Sequence, residues 1–348
     1  MPFRNRDNII KILSPSDSDI TNPYLQFEPY FDDKEYWCLC FTNGIDLSAK
    51  YIPDDILSEI KYGELNLILS DNLEGMVQNA KHVEKFIEQL DIPTNKIVYM
   101  TSAYDTKSNI NYLIADGFEF VQQRRSSKTS IVRKPKKRFI YPNHRWRPHR
   151  PALVGLLFSK GLLDKGYVSL RKADDNKTWS NYCDQICQQF SELEKFRDSL
   201  YNMPELHIDN VDFNVGYPEE LDQSYYNDSY FSIVSETNFY DDSRFFSEKT
   251  YKNIDYEIPF ILVSRPNSLS LLREKGYKTF SPYINEDYDL EPDNNKRLRM
   301  IADEVERLCN LTDDELSLLI DHLSPICEYN RQVLINKKYP DDFIWHTL

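Results

Sequence analysis

FSIVSETNFYDDSRFFSEKTYKNIDYEIPFILVS, residues Phe231–Ser264, reads as one strand–loop–helix–strand unit. The run from Phe231 is apolar and strand-like, and Glu236 and Glu248 bracket the polar loop that follows it. Ser247 has the chemistry of a helix N-cap, and Glu248-Lys249 opens the helix behind it. A second strand is expected over Ile258–Ser264. Open α/β sheets place ligand crevices at the carboxyl ends of strands and anions at helix starts. This segment therefore points to an enzyme acting on a phosphorylated small molecule.

The same alternation extends upstream. Strands are expected at Tyr36–Thr42, Leu65–Ser70 and Lys96–Thr101, and an amphipathic helix over Met76–Leu90 carries Val77, Ala80, Val83, Phe86, Ile87 and Leu90 on one face. Asn109–Ala115 is read as helical and Phe118–Gln122 as a short strand. Strands alternating with helices predict an α/β fold with a Rossmann-like domain. A second α/β part begins at the strand Arg138–Tyr141, with a helix from Pro148 or His149 to Lys160, a strand at Val168–Arg171 and a helix over Trp179–Asn202. The C-terminal region reads as helices Lys296–Cys309, Thr312–Leu323 and Ile326–Ile335, and Thr312 with Glu315 forms a capping-box sequence.

Charge is distributed unevenly. The chain of 348 residues has a net charge of −14, which argues against bulk affinity for nucleic acid. Yet Phe120 to Leu163 holds twelve Lys or Arg and no Asp or Glu, so one local basic stripe exists. The six cysteines lack metal-site spacing, and no zinc site or disulfide framework is expected. No apolar run reaches the length of a membrane span, and the first residues lack a signal-peptide core. The expectation is a protein of the cytoplasm, or of the host cytoplasm if viral, with no membrane partner and no bound metal or cofactor.

The loop Asn143–Arg150 (NHRWRPHR) leads from a strand into a helix. Arg145, Arg147 and Arg150 offer guanidinium forks beside the positive end of that helix, and both features favour a diphosphate. Asn143 and His149 belong to the same candidate set. The bland alternative is a solvated basic loop anchored by Trp146. For Glu248, an ordinary first-turn carboxylate is the bland alternative to hydrogen bonding a sugar hydroxyl, with Lys249 meeting phosphate.

The segment Ser235–Ser264 resembles the donor-binding region of GT-B glycosyltransferases, in particular fucosyltransferase-like and phage- or virus-encoded ones. The matching motifs are Ser235-Glu236-Thr237, Ser247-Glu248-Lys249 and Pro259-Phe260-Ile261-Leu262, followed by Leu271–Phe280 and Asn285–Asp289. Asn143–Ser169 resembles the same group, whereas the first half of the chain matches only in pattern. The resemblance implies two Rossmann-like domains facing a cleft, with C-terminal helices. It implies an acceptor-side domain over 1–137, a nucleotide-sugar domain over 138–325 and a helical tail over 326–348. A nucleotide sugar would serve as co-substrate, contacted by Asn143, Arg145, Arg147, His149, Arg150, Glu236, Ser247, Glu248 and Lys249.

Glu236 and Glu248 do not have the Glu-x7-Glu spacing of many retaining enzymes, since position 244 is Arg244, and no Asp-x-Asp metal motif stands in a suitable strand context. A metal-independent transfer fits such enzymes. An inverting reaction needs a base for the acceptor hydroxyl. Asp46, Asp71, Glu74 and Asp105 each follow a strand of the first domain, and Glu74 and Asp46 are the preferred catalytic candidates. The acceptor is a glycan or a hydroxylated base in DNA, the latter contacted by Arg124, Arg125, Arg133, Lys134, Lys136 and Lys137. The competing class is a non-catalytic nucleic-acid-binding or virion protein that uses the stripe 124–150.

Overall fold

The computed structural model describes residues 10–12, 36–40, 52–63, 65–71, 75–126, 135–172, 176–208, 221–240, 243–338 and 344–346. It forms two compact α/β units that are discontinuous in sequence. Unit 1 comprises Met1–Arg125, Asp241–Glu248 and Asn336–Leu348; unit 2 comprises Ser126–Tyr240 and Lys249–Ile335. The expected division is three consecutive spans, 1–137, 138–325 and 326–348. The chain instead leaves unit 2 at Tyr240 and re-enters it at Lys249.

In unit 1, β1 (Ile10–Ile12), β2 (Tyr36–Cys40), β3 (Asn66–Asp71), β4 (Ile97–Thr101) and β5 (Tyr112–Ile114) are parallel and adjacent in chain order. All six residues of β3 are buried, as expected for a parallel strand covered on both faces. Leu67 and Leu69 join a cluster with Ile60 of the helix Asp54–Tyr62 and with Ala80, Val83, Phe86, Ile87 and Leu90 of the helix Val77–Leu90. Ile68 faces the opposite side with Met100, Leu113 and Ala115. Of the predicted apolar face of the helix Val77–Leu90, Ala80, Val83, Phe86, Ile87 and Leu90 are buried and Val77 is half-buried; the buried Val83, Phe86, Ile87 and Leu90 side chains each contribute roughly 1.5–3 kcal/mol.

Two assignments are reversed. Asn109–Ala115, expected helical, contains strand β5, and Phe118–Gln122, expected to be a strand, lies in the helix Gly117–Arg125. The strand is selected by a neighbour that no local pattern reveals: its residues pair with β4. The helix start was visible, because Asp116 Oδ1 accepts the Glu119 N–H at 3.1 Å, an N-cap followed by Glu three residues later.

Unit 2 holds a second parallel sheet, β7-β6-β8-β9, made of β6 (Lys137–Tyr141), β7 (Gly166–Val168), β8 (Ser229–Ser235) and β9 (Phe260–Val263). Its first strand lies inside the sheet, so the winding direction reverses between β6 and β8. The expected strand at Val168–Arg171 is displaced: β7 ends at Val168, and Leu170 makes an antiparallel bridge to Leu206. The expected single helix Trp179–Asn202 is three pieces, Asn176–Gln189, a 3-10 turn Ser191–Phe196 and Arg197–Asn202. A last described strand, β10 (Ile344–His346), returns to unit 1 and pairs antiparallel with β5.

The capping box is formed as read: Thr312 N–H donates to Glu315 Oε2 at 2.8 Å, and Glu315 N–H to Thr312 Oγ1 at 3.2 Å. The helix it starts does not stop at Pro325 but runs Asp313–Ile335, through the boundary expected at 325. An interior proline costs ~3 kcal/mol. Leu316, Leu323, Cys327, Asn330 and Leu334 nevertheless form one buried stripe across it, and that packing outweighs the break.

Candidate functional site

The reversal between β6 and β8 marks the place where open α/β sheets hold ligands, just outside the carboxyl ends of the two strands. Tyr141 ends β6 and Ser235 ends β8, and their hydroxyls are 2.8 Å apart. The loops that leave these strands are those singled out in the sequence: Pro142–Pro148, running into the helix His149–Ser159, and Glu236 onward.

Within this site the arginines divide by role. Arg150 is buried; its Nη1 donates to Arg145 O at 2.7 Å and its Nη2 to Ser235 O at 3.1 Å, so it ties the two loops together. Arg145 is exposed, and Arg147 is half-buried with Nη1 donating to Trp146 O at 3.2 Å. His149 is buried and stacks on Phe239, ring centroids 5.0 Å apart. Burial, and then the Arg150 charge, hold its imidazole well below the ordinary value. The neutral ring places Nε2 3.0 Å from the Glu236 carbonyl oxygen, to which it donates. His149 therefore fixes the loop after β8 and brings no positive charge of its own.

His144 reports the field of the site. Its imidazole is held below the ordinary value by burial, then by the positive charges of Arg171, Arg145, Lys249 and Arg150. The charges of four cations thus act on one half-buried histidine, from the loop after β6, the helix His149–Ser159, the segment after β7 and the helix Glu248–Asp255. Such a convergence suits a phosphate or diphosphate. Arg171 is absent from the sequence-based candidates because Val168–Arg171 reads as a strand, whereas β7 ends at Val168. The signal was present, since it follows β7 at the carboxyl end, as Arg145 follows β6.

Asn143 is buried and closely held. Its backbone N–H donates to Ser169 Oγ at 2.6 Å, and its Nδ2 to Ser169 O at 3.1 Å. Glu236 is completely buried, and its carboxylate accepts the Thr250 hydroxyl, linking the end of β8 to the helix Glu248–Asp255. Ser247 is buried, Glu248 exposed and Lys249 half-buried.

The acceptor-side candidates separate differently. Asp46 and Glu74 lie outside the described residues. Asp71, at the end of β3, is buried and accepts from Asn79 Nδ2 at 2.7 Å and Tyr99 OH at 2.9 Å. Burial pushes its carboxyl up to about 6, against these hydrogen bonds. Asp105 forms an ion pair with Arg244 at 2.8 Å and accepts the Arg244 backbone N–H at 2.8 Å, anchoring the returning segment within unit 1.

Three described members of the basic stripe have partners within unit 2. Lys136 pairs with Asp228 at 2.7 Å and Arg138 with Asp313 at 2.7 Å. Lys137 Nζ donates to Asp164 O at 2.7 Å. Arg124 and Arg125 end the helix Gly117–Arg125, with Arg125 exposed, whereas Arg133 and Lys134 lie outside the described residues. Among the described residues, no group of three or more His, Cys, Asp or Glu side chains could hold a metal ion, and no helix is long and apolar enough to cross a membrane.

Unit 2 is thus a parallel α/β unit with a switch point between β6 and β8 and the arginine-bearing loop beside it. Comparison with known proteins finds no matching family model, no matching curated protein and no matching solved structure.

Proposed function

We propose that this protein is a nucleotide-sugar-dependent glycosyltransferase of GT-B type, with unit 2 as the donor-binding domain. The observation that carries the reading is the β6–β8 reversal, with the exposed Arg145 on the loop leaving β6 and the charges of Arg171 and Lys249 acting on His144 of the same loop. This supports a diphosphate held by guanidinium and ammonium groups. On departure of the nucleoside diphosphate, the same cations stabilise its developing negative charge without a metal ion. The acceptor is a hydroxyl on a glycan or on a modified base in DNA, and the transfer takes place in the cytoplasm, the host's if the protein is viral.

The test is a thermal-shift screen with UDP-, GDP-, ADP- and CMP-sugars, because a ligand that binds only the folded state raises its stability by mass action. At least one nucleotide should raise the melting temperature. Lys249→Ala and Arg171→Ala should each weaken its binding by roughly tenfold or more, as expected when a charged partner of a phosphate is removed. If no nucleotide shifts the melt, the glycosyltransferase reading fails.

A further inference from the structure

The helix Asp313–Ile335 buries one face and leaves the opposite one open to solvent. On the open side Leu318, His322, Pro325 and Tyr329 are all exposed. Their spacing of four, three and four residues sets them in a single stripe. Leu318 is 58% exposed and Tyr329 40%. Tyr283 widens the stripe: its ring, 37% exposed, stacks on His322 with centroids 5.3 Å apart. Of the six large hydrophobic side chains exposed among the described residues, three therefore belong to this face, which makes it a patch and not scatter.

The same spacing is that of a coiled-coil seam, and in its register Asp314, Asp321 and Glu328 recur every seven residues along one flank. That flank is where charges choose a partner. All three carboxylates are exposed, and none has an ion pair or a side-chain hydrogen bond among the described residues. The neighbouring charges are already committed. Asp313 pairs with Arg138 at 2.7 Å, Glu315 closes the capping box, and Arg331, the helix's one Lys or Arg, pairs with Asp255 at 3.3 Å. Arg307, which donates to Tyr283 O, pairs with Glu304 at 2.6 Å. Lys278 lies 4.2 Å from the Tyr329 ring centroid, at the end of the stripe away from Asp314.

We infer that this face docks a helical segment of another protein, one that carries an apolar seam flanked by Lys or Arg at seven-residue intervals. The stripe from Leu318 to Tyr329 supplies the apolar centre of the contact. The three free carboxylates select a basic partner and steer its approach. A second copy of the same face would set acids against acids, which opposes pairing. The surface lies within unit 2, and the inference stands independently of the donor-site reading.

The test titrates the full chain against two labelled synthetic helices of three heptads, read by fluorescence anisotropy. Both carry leucine at the seam positions; one has lysine at the flanking positions and the other glutamate. The wild type should bind the lysine helix, less tightly as salt rises, and should not bind the glutamate helix. Leu318→Ala should weaken binding by roughly tenfold or more. The joint reversal Asp314→Lys, Asp321→Lys and Glu328→Lys should exchange the preference between the two helices. The same reversal at Asp54, Asp55 and Glu88, all exposed in unit 1, changes the net charge equally and should leave the preference as it was. Equal binding of both helices, binding of neither, no loss in Leu318→Ala, or equal effects of the two triple reversals would overturn the inference. So would a dimer in sedimentation that Leu318→Ala dissociates, since a second copy would then occupy the face. The comparison of the two helices on the wild type depends on no variant folding.

Discussion

Arg297→Met should destabilise unit 2 by about 3 kcal/mol, and the value follows from opposing contributions. The Arg297 side chain is 1% exposed. Nε donates to Ser264 O at 3.1 Å, Nη1 to Glu291 O at 2.8 Å and Nη2 to Phe239 O at 3.0 Å, and the guanidinium lies 4.2 Å from the Phe239 ring centroid. Three segments are therefore joined: the exit of β9, the loop after β8 and the approach to the helix Asn294–Cys309. Methionine fills much of the space and donates nothing. Nη2 also donates to Asn294 Oδ1 at 2.5 Å within the same helix; a hydrogen bond to a charged group contributes ~1.5–3 kcal/mol, so the three that reach other segments would supply ~4.5–9 kcal/mol if nothing opposed them. Burial of the cation does oppose them, since it pushes the guanidinium down to about 10, and methionine carries no such penalty. Roughly half of the gross value should survive.

In a unit of this size a loss of about 3 kcal/mol lowers the melting temperature by about 6–12 °C. Calorimetry of the full chain reads the shift, and hydrogen exchange at the β8 and β9 amides assigns it to unit 2. Arg297→Lys separates charge from geometry, because one ammonium cannot reach three divergent carbonyls; it should recover less than half of the loss. A penalty below about 1 kcal/mol, or full recovery by lysine, would refute the bracing role.

Other consequences are equally direct. Asp71 has a folded pKa of about 6 against an ordinary 3.8, so the folded state holds an extra proton between these values. The stability it contributes is present below about pH 4 and is lost as pH rises through 6, a difference of up to ~3 kcal/mol. Asp71→Asn should flatten the pH dependence of the urea midpoint over that window; an unchanged slope would contradict the assignment. Gly75→Ala should cost about 1–3 kcal/mol in urea unfolding, because the new Cβ would lie 2.6 Å from both Ala103 N and Thr101 Oγ1. A wild-type midpoint would show that this close approach relaxes freely. Ser243→Ala removes the acceptor of the Val77 N–H at 2.7 Å, and with it a cap on the helix Val77–Leu90. The expected loss is ~0.5–2 kcal/mol, seen as faster amide exchange in the first turn.

Elements whose signal is local were legible in sequence. The buried stripe of Val77–Leu90, the apolar strands β3, β4, β8 and β9, and the Thr312–Glu315 capping box all follow from spacing or side-chain chemistry within a few residues. Elements whose signal is a distant partner were not. β5 is made a strand by its pairing with β4, and the helix Asp313–Ile335 survives Pro325 because its buried stripe has something to pack against. The same division runs through the site. The arginine-rich loop could be found by composition, but the difference between Arg150, buried and bonded to two carbonyls, and the exposed Arg145 is a matter of tertiary contact. Glu236 stood out as a carboxylate after a strand, yet it is completely buried and accepts the Thr250 hydroxyl.

Strand order accounts for the asymmetry between the two units. In unit 1 the parallel strands β1 to β5 are neighbours in chain order, so consecutive right-handed crossovers carry the connecting helices to one face of the sheet. Ile60 and the Val83–Leu90 stripe accordingly share one core cluster with Leu67 and Leu69. No described pair of strands in that unit has connections departing in opposite directions, which is what opens a crevice at strand ends. In unit 2 the connection from β6 goes one way to β7, and the later return to β8 falls on the other side. The two loops leaving β6 and β8 must therefore diverge, and the space between them is where His149 and Arg150 reach back to the carbonyls of Glu236 and Ser235. A cationic loop in unit 1 would have lacked that opening, so the position of NHRWRPHR after β6 makes its charge available to a ligand. Arg171, on the next strand end, then adds to the same field through topology alone, with no sequence motif linking it to Arg145.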